Sequence, residues 1–348
     1  MRSRRVYFTV AAIAACAVIF CVITSAQAAQ GATGTAPATG QQKPPAGFSM
    51  PEPPSSTVYF TKKITPEAMI ALYKAMGRDL PGKVGVKLST GEAGDTYYLN
   101  PNLIKDLVHK VNGTIVECNT AYPGKRQNTA MHMQVAKDHG FTAIATVDIM
   151  DADGSMSIPV PKGVHLNEDI VGSHLANYDS MLVLSHFKGH AMGGFGGALK
   201  NISIGVASSS GKLFIHSAGT MKSGDFFRIF GTDQNAFVES MAEAASAVGN
   251  HFGKNIVYIN VMNNLSIDCD CSSNPAKPEI DDIGMLASTD PVALDQACVD
   301  LIYKADPKQS ASLRKRMEDR KGVIILNHAE AIGFGLESYK LVSLDEQK

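Results

Sequence analysis

The chain has 348 residues, of which 45% are hydrophobic and 19% charged, and its mean hydropathy is -0.02. Thirty-two basic residues stand against 33 acidic ones, so no basic excess is left for a nucleic-acid partner. A chain of this length buries a large core without a disulfide scaffold.

The amino terminus departs from that average. Arg2, Arg4 and Arg5 precede an apolar run over residues 6–23, which ends in Thr24-Ser25-Ala26-Gln27-Ala28. A basic start, an apolar middle and an Ala-x-Ala ending predict a secretory signal peptide over residues 1–28, cleaved after Ala28. The expected location is periplasmic or otherwise outside the cytoplasm. The apolar run sits at the short limit for a membrane span, so no span is expected after cleavage. Ser3-Arg4-Arg5-Val6-Tyr7-Phe8 also admits the twin-arginine export route. Removing residues 1–28 takes away three arginines and no acids, leaving 29 basic against 33 acidic residues. It also takes Cys16 and Cys21, so four of the six cysteines remain.

Residues 29–57 are rich in Gly, Ala, Thr, Gln, Pro and Ser. They bury too little apolar surface to offset the entropy of ordering and predict a flexible linker. An α/β domain is expected over residues 58–348, beginning with a strand at 58–60. Thr65 and Pro66 open a helix whose apolar stripe is Met69, Ile70, Tyr73 and Met76. A strand at 84–88, a helix through Leu103–Val111, a strand at 114–117, a helix at 129–139 and a strand at 144–147 follow. The three aspartates of Asp148–Gly154 lack the glutamate of a calcium loop and read as a turn into a strand at 156–160. Further strands are expected at 181–184, 256–262 and 283–286, with helices through Phe237–Val248 and Pro291–Tyr303. This alternation predicts a mainly parallel, helix-covered sheet with a glycine-rich ligand loop at its carboxyl edge.

That loop runs Ser185-His186-Phe187-Lys188-Gly189-His190-Ala191-Met192-Gly193-Gly194-Phe195-Gly196-Gly197-Ala198-Leu199-Lys200-Asn201. Gly193, Gly194, Gly196 and Gly197 let backbone amides approach a ligand. A helix starting near Ala198, with Lys200, would suit an anionic group. Lys87, placed inside a strand, needs a carboxylate or a ligand. Arg126, with Glu117 and Asn119, leaves the third strand at the same edge. Asp290 reads as a helix cap and Asp295 as a residue able to face the site. Asp268-Cys269-Asp270-Cys271 admits three states. Cys269 and Cys271 bind a metal, zinc or iron, together with His186 or His190; they form a disulfide; or they stay inert thiols.

The segments His186-Phe187-Lys188-Gly189-His190, Gly193–Asn201, Asp268–Cys271 and Asp282–Asp295 resemble the Fe–S-centre proteins of the domain of unknown function 362 family. Asn119-Thr120-Ala121-Tyr122, Arg126 and His139-Gly140-Phe141 fit as well. Many members of that family carry a ferredoxin-like cysteine insert between positions matching His216 and Phe237. Residues 217–236 contain no cysteine, so no ferredoxin-type cluster is expected. What the resemblance implies is the shared α/β domain, whose activity it does not supply. Three functions follow as expectations. The first is an exported metal- or cofactor-binding protein of redox type, with a small anionic ligand or a redox partner. The second is a metal-independent enzyme acting on a small anionic substrate. The third is a binding protein that has lost its Fe–S module. The catalytic residues stay unassigned.

Overall fold

The computed structural model describes residues 54–345. The expected signal peptide and nearly all of the linker lie outside the described residues.

An eight-stranded sheet forms the centre. Its strands are β1 (Ser56–Thr61), β2 (Val84–Lys87), β3 (Thr114–Glu117), β4 (Val147–Ile149), β7 (Ser180–His186), β10 (Ile256–Met262), β11 (Gly284–Ser288) and β12 (Tyr339–Ser343). They lie in the order β12-β1-β11-β10-β7-β2-β3-β4. β11 runs antiparallel to both neighbours and every other pair is parallel, so the sheet is mainly parallel, as expected. Two short hairpins, β5 (Ser155–Pro159) with β6 (Glu168–Gly172) and β8 (Lys188–His190) with β9 (Gly194–Gly196), stand apart from it.

Side-chain alternation in the central strands divides the core. Leu182 and Leu184 of β7 face α1 (Pro66–Ala75) and α2 (Pro101–Lys110), where Met69, Leu72, Ile104 and Leu107 meet them. Met181 and Val183 face the other way. They meet α4 (Ala198–Ser203), α6 (Gln234–Phe252) and α7 (Pro291–Lys304) through Leu199, Met241, Ala245 and Leu294. Helices start where the sequence supplies caps: the Thr65 hydroxyl accepts the Ala68 amide ahead of Pro66, and Asp290 accepts Val292 and Ala293 ahead of Pro291.

Several stretches differ from expectation, among them β6, β8, β9 and α5 (Ser209–His216), which the sequence does not announce. The fourth strand is Val147–Ile149, not 144–147, because Gly140 adopts φ +84° and leads into a 3-10 turn over Phe141–Ala143. Beyond α7 the chain adds α8 (Ala311–Asp319) and α9 (Ile324–Ala331) before β12, none of them anticipated. Two further helices, α3 (Thr129–Asp138) and α5 (Ser209–His216), complete the set. No helix among the described residues is long and apolar enough to cross a membrane.

The topology fixes where a ligand can sit. From β2 the chain builds outward through β3 and β4, then returns to β7 on the opposite side of β2 and proceeds to β10. The reversal leaves a crevice at the carboxyl ends of β2 and β7, the place where open α/β sheets bind ligands.

Candidate functional site

A cavity of about 340 Å³ occupies this crevice. Lys87, the last residue of β2, is 1% exposed. It donates to the Leu88 carbonyl and to Asn201 Oδ1, the latter at 3.0 Å. Asn201, next to Lys200 in α4, in turn donates to Leu184 O at 3.2 Å and Ser185 Oγ at 3.0 Å, so one amide spans the gap between β2 and β7. Of the carboxylate or ligand expected for it, no carboxylate pairs with Lys87 among the described residues; its amine reaches carbonyl oxygens and lines the cavity. Burial lowers its amine to about 8, against the pull of Glu117.

β3 delivers Glu117. It accepts from the Thr90 amide at 2.9 Å, His132 Nε2 at 3.1 Å and Arg126 Nη1 at 3.4 Å. Burial pushes this carboxyl up, but His132, Arg126 and Lys87 outweigh it and hold it well below the usual carboxylate range. Arg126 also meets Glu92 at 3.4 Å and donates to the Tyr122 hydroxyl at 3.3 Å. Two buried carboxylates therefore already answer its charge. Lys212 of α5 donates to Ala207 O at 2.5 Å and Cys118 O at 3.5 Å, and burial lowers its amine. The Cys118 thiol beside it is pushed up to about 12 by burial and stays protonated at neutral pH.

The glycine loop forms the facing wall. Gly196 and Gly197 line the cavity with Lys200. Gly193 and Gly194 serve the loop itself. The Gly193 amide donates to His190 Nδ1 at 2.8 Å, and Gly194, at φ +82°, lies against Gly322, where an added Cβ would come within 2.9 Å of Gly322 Cα. α4 does begin at Ala198, but its first amides are taken from inside the protein. Asp295 of α7 accepts Ala198 N at 2.8 Å and Leu199 N at 2.9 Å. The helix terminus expected to hold an anion is thus already capped by a side chain of this chain. Burial raises the Asp295 carboxyl to about 6, with the Leu199 amide, Asn260 and the Ala198 amide opposing.

Two imidazoles line the same cavity in opposite tautomers. His190 accepts through Nδ1, so its proton sits on Nε2. His216 donates from Nδ1 to Lys212 O at 2.6 Å, which leaves a lone pair on Nε2. Burial lowers both, His190 well below the ordinary histidine value and His216 to about 4, so both rings are neutral at pH 7. One presents a proton and the other accepts one.

At the cavity mouth Cys269 and Cys271 are joined in a disulfide, with S–S 2.01 Å. Their sulfurs and a His190 nitrogen lie within 4.8 Å of one another, the arrangement of a candidate soft-metal site once the bond is reduced. His186 stands outside this group, held by Asp270 Oδ2 at 3.2 Å and Asn263 O at 2.8 Å. Burial pushes the Asp270 carboxyl up, but His186 and Lys188 bring it down to about 2.

Lys87, Glu117, Arg126, His186, His190, Gly196, Gly197, Lys200, Cys269 and Cys271 therefore line one cavity. Asn119 stands behind it, bonded to Thr129 and His132. Asp290 caps α7 at the opposite edge of the sheet, where it also accepts from Ser56. Lys212, His216, Lys188 and Asn201 belong to the site without having been singled out. The only sequence signal for Lys212 is a lone charge in the apolar run Gly211–Ile215.

No curated protein matches the chain. Among solved structures it is similar to the lactate racemase apoprotein from Thermoanaerobacterium thermosaccharolyticum, with 15% identity and a TM-score of 0.33. That alignment covers 62% of this chain and 52% of the other. A protein from Thermotoga maritima aligns with 12% identity and a TM-score of 0.39, over 75% of this chain and 59% of that one. The chain thus spans between half and three fifths of the structures it matches. The family model described as domain of unknown function, DUF362, matches residues 84–300, from β2 through most of α7 and around the whole cavity, and the chain belongs to that family.

Proposed function

We propose that the protein binds a small anionic substrate or cofactor in the crevice between β2 and β7. One observation carries this. Lys87, Lys200 and Lys212 line a single cavity, and none of the three makes an ion pair with a carboxylate among the described residues. Lys87 and Lys212 are buried and Lys200 is partly buried; ammonium groups so placed without counter-charge are costly, and an anionic occupant supplies what the protein withholds. The two neutral imidazoles add an acid and a base, which favours an enzyme over a passive binder.

The test is a thermal-shift series with inorganic phosphate, malonate and pyruvate on the chelator-treated protein. Stabilisation that saturates with concentration, and that Lys212→Met weakens at least tenfold in apparent affinity, is the expected result. A flat response to all three anions overturns the proposal.

A second use of the same cavity is favoured by the convergence of His190, Cys269 and Cys271. With the disulfide reduced, the two thiolates would hold zinc or iron at the mouth, and the dithiol itself would serve as the redox element. His190 joins such a metal only by giving up the Gly193 amide, either through Nδ1 directly or through Nε2 once its proton has moved to Nδ1. Metal content after reduction separates the cases: a stoichiometric metal lost in Cys269→Ala supports this use, and its absence removes it.

Export is also proposed, on the Arg-rich, apolar, Ala-x-Ala amino terminus, and a disulfide beside the cavity suits an oxidising compartment. A lower-mass form in the extracytoplasmic fraction, beginning at Ala29, is the expected finding.

A further inference from the structure

Five cationic side chains line the cavity, and they are not equivalent: Lys188 is held by Asp270 and by Tyr97 O. Arg126 faces Glu92 and Glu117. Lys87 is tied to Leu88 O and Asn201 Oδ1, and Lys212 to Ala207 O and Cys118 O. Lys200 alone of the five has no side-chain hydrogen bond or ion pair among the described residues, although it lines the same space. Its stem passes over Gly196, where an added Cβ would lie 3.3 Å from Lys200 Cδ, so the absence of a side chain there leaves the stem its path.

We infer that Lys200 is a nucleophilic amine that forms an imine with the carbonyl carbon of a 2-oxo acid, whose carboxylate Lys87 and Lys212 hold. The division of labour follows from the tethers. A lysine tethered by two carbonyl oxygens is held in place and serves as a point charge, whereas an amine with no partner is free to turn and attack. Burial lowers Lys200 to about 8, helped by Arg126, Lys87 and Lys212 and opposed by Asp270. On the order of a tenth of the amine is then unprotonated at pH 7.

In the reaction Nζ adds to the carbonyl carbon, a C–N bond forms and the carbonyl π pair moves to oxygen. Both amine hydrogens leave with that oxygen as water, giving a C=N bond with no change in oxidation state. His216 Nε2 offers the lone pair that accepts the amine proton, and His190 Nε2–H offers the proton that the departing oxygen needs.

This inference rests on the anion-binding proposal, and the test keeps the two apart. The full chain is incubated with pyruvate and sodium cyanoborohydride, which reduces imines and spares the disulfide, and is then mapped by peptide mass spectrometry. The expected result is one adduct, located on Lys200 and absent from Lys200→Arg, while the variant without ligand melts in the same single transition as the unaltered protein. Thermal stabilisation by pyruvate without an adduct, or an adduct undiminished in Lys200→Arg, overturns the imine and leaves anion binding standing. Neither stabilisation nor adduct overturns both. A measurement on the unaltered protein stands beside the variant: excess phosphate lowers the Lys200 adduct yield severalfold, and an unchanged yield overturns the inference.

Discussion

Lys188 Nζ lies 2.6 Å from Asp270 Oδ1, both side chains are buried, and the pair fastens the loop bearing Cys269 and Cys271 to the hairpin strand β8. Lys188 also donates to Tyr97 O at 2.7 Å, so three separate chain segments meet at one ammonium. Replacing Lys188 by Met leaves the Asp270 carboxylate buried with only His186 as partner. The expected loss is about 3–5 kcal/mol in urea unfolding, with faster proteolysis of the loop over residues 266–276. A loss under about 1 kcal/mol would mean that the pair contributes no more than a surface salt bridge.

Asp169 of β6 is fully buried and neither carboxylate oxygen has a partner among the described residues. Burial raises it to about 8, and the charge of Lys212 offsets this only in part. The folded chain therefore holds this proton more tightly than the unfolded chain, whose carboxyl titrates near ~4. Below that pH the group takes nothing from stability. Between there and about 8 unfolding releases a proton, so stability falls with rising pH by about 1.4 kcal/mol per unit. Asp169→Asn should flatten this slope in chemical unfolding followed from pH 5 to 8. An identical slope in the variant would assign the dependence elsewhere.

Thiol counting distinguishes the four described cysteines. Cys118 and Cys298 are free but buried, and burial raises both thiols, to about 12 for Cys118 and well above the ordinary value for Cys298. Folded protein should react with no alkylating reagent before reduction and at two positions, Cys269 and Cys271, after it. Rapid labelling of Cys298 in folded protein would contradict its placement in the core.

Gly197 has no room for a side chain. An added Cβ would sit 2.7 Å from Asp295 Cγ. Gly197→Ala should displace the carboxylate that caps α4 and cost at least ~2 kcal/mol, with weaker anion binding because Lys200 rides on that helix. Wild-type melting and wild-type anion response in this variant would show that the cap can move without consequence.

Much of this arrangement was legible before any coordinates. Apolar runs such as Ile256–Met262 declare buried parallel strands, and Thr65-Pro66 and Asp290-Pro291 declare helix starts. Residues that end or directly follow strands, Lys87, Glu117 and the glycine loop, fall at the carboxyl edge because parallel strands put their ends there. What stayed hidden depends on packing over long sequence distances. Lys212 and His216 arrive on a helix whose own pattern says nothing about β3. Asp295, off the apolar stripe of α7, reads in the sequence only as able to face the site, and its role as the cap of α4 rests on its distance to Ala198. The sequence of α8, with Arg314, Lys315 and Arg316 in its middle, shows too narrow an apolar stripe to predict an element.

The cap that Asp295 places on α4 also sets an order in time. Synthesis proceeds from the amino terminus, and domains fold as their segments emerge. Residues 198–201 emerge long before residue 295, so α4 is made without the carboxylate that will satisfy its first amides. A nascent chain can pair β2, β3 and β7, yet the wall that carries Lys200 waits for α7. The cavity therefore matures late, and partly made chains lack a finished place for an anion or an oxo acid to react.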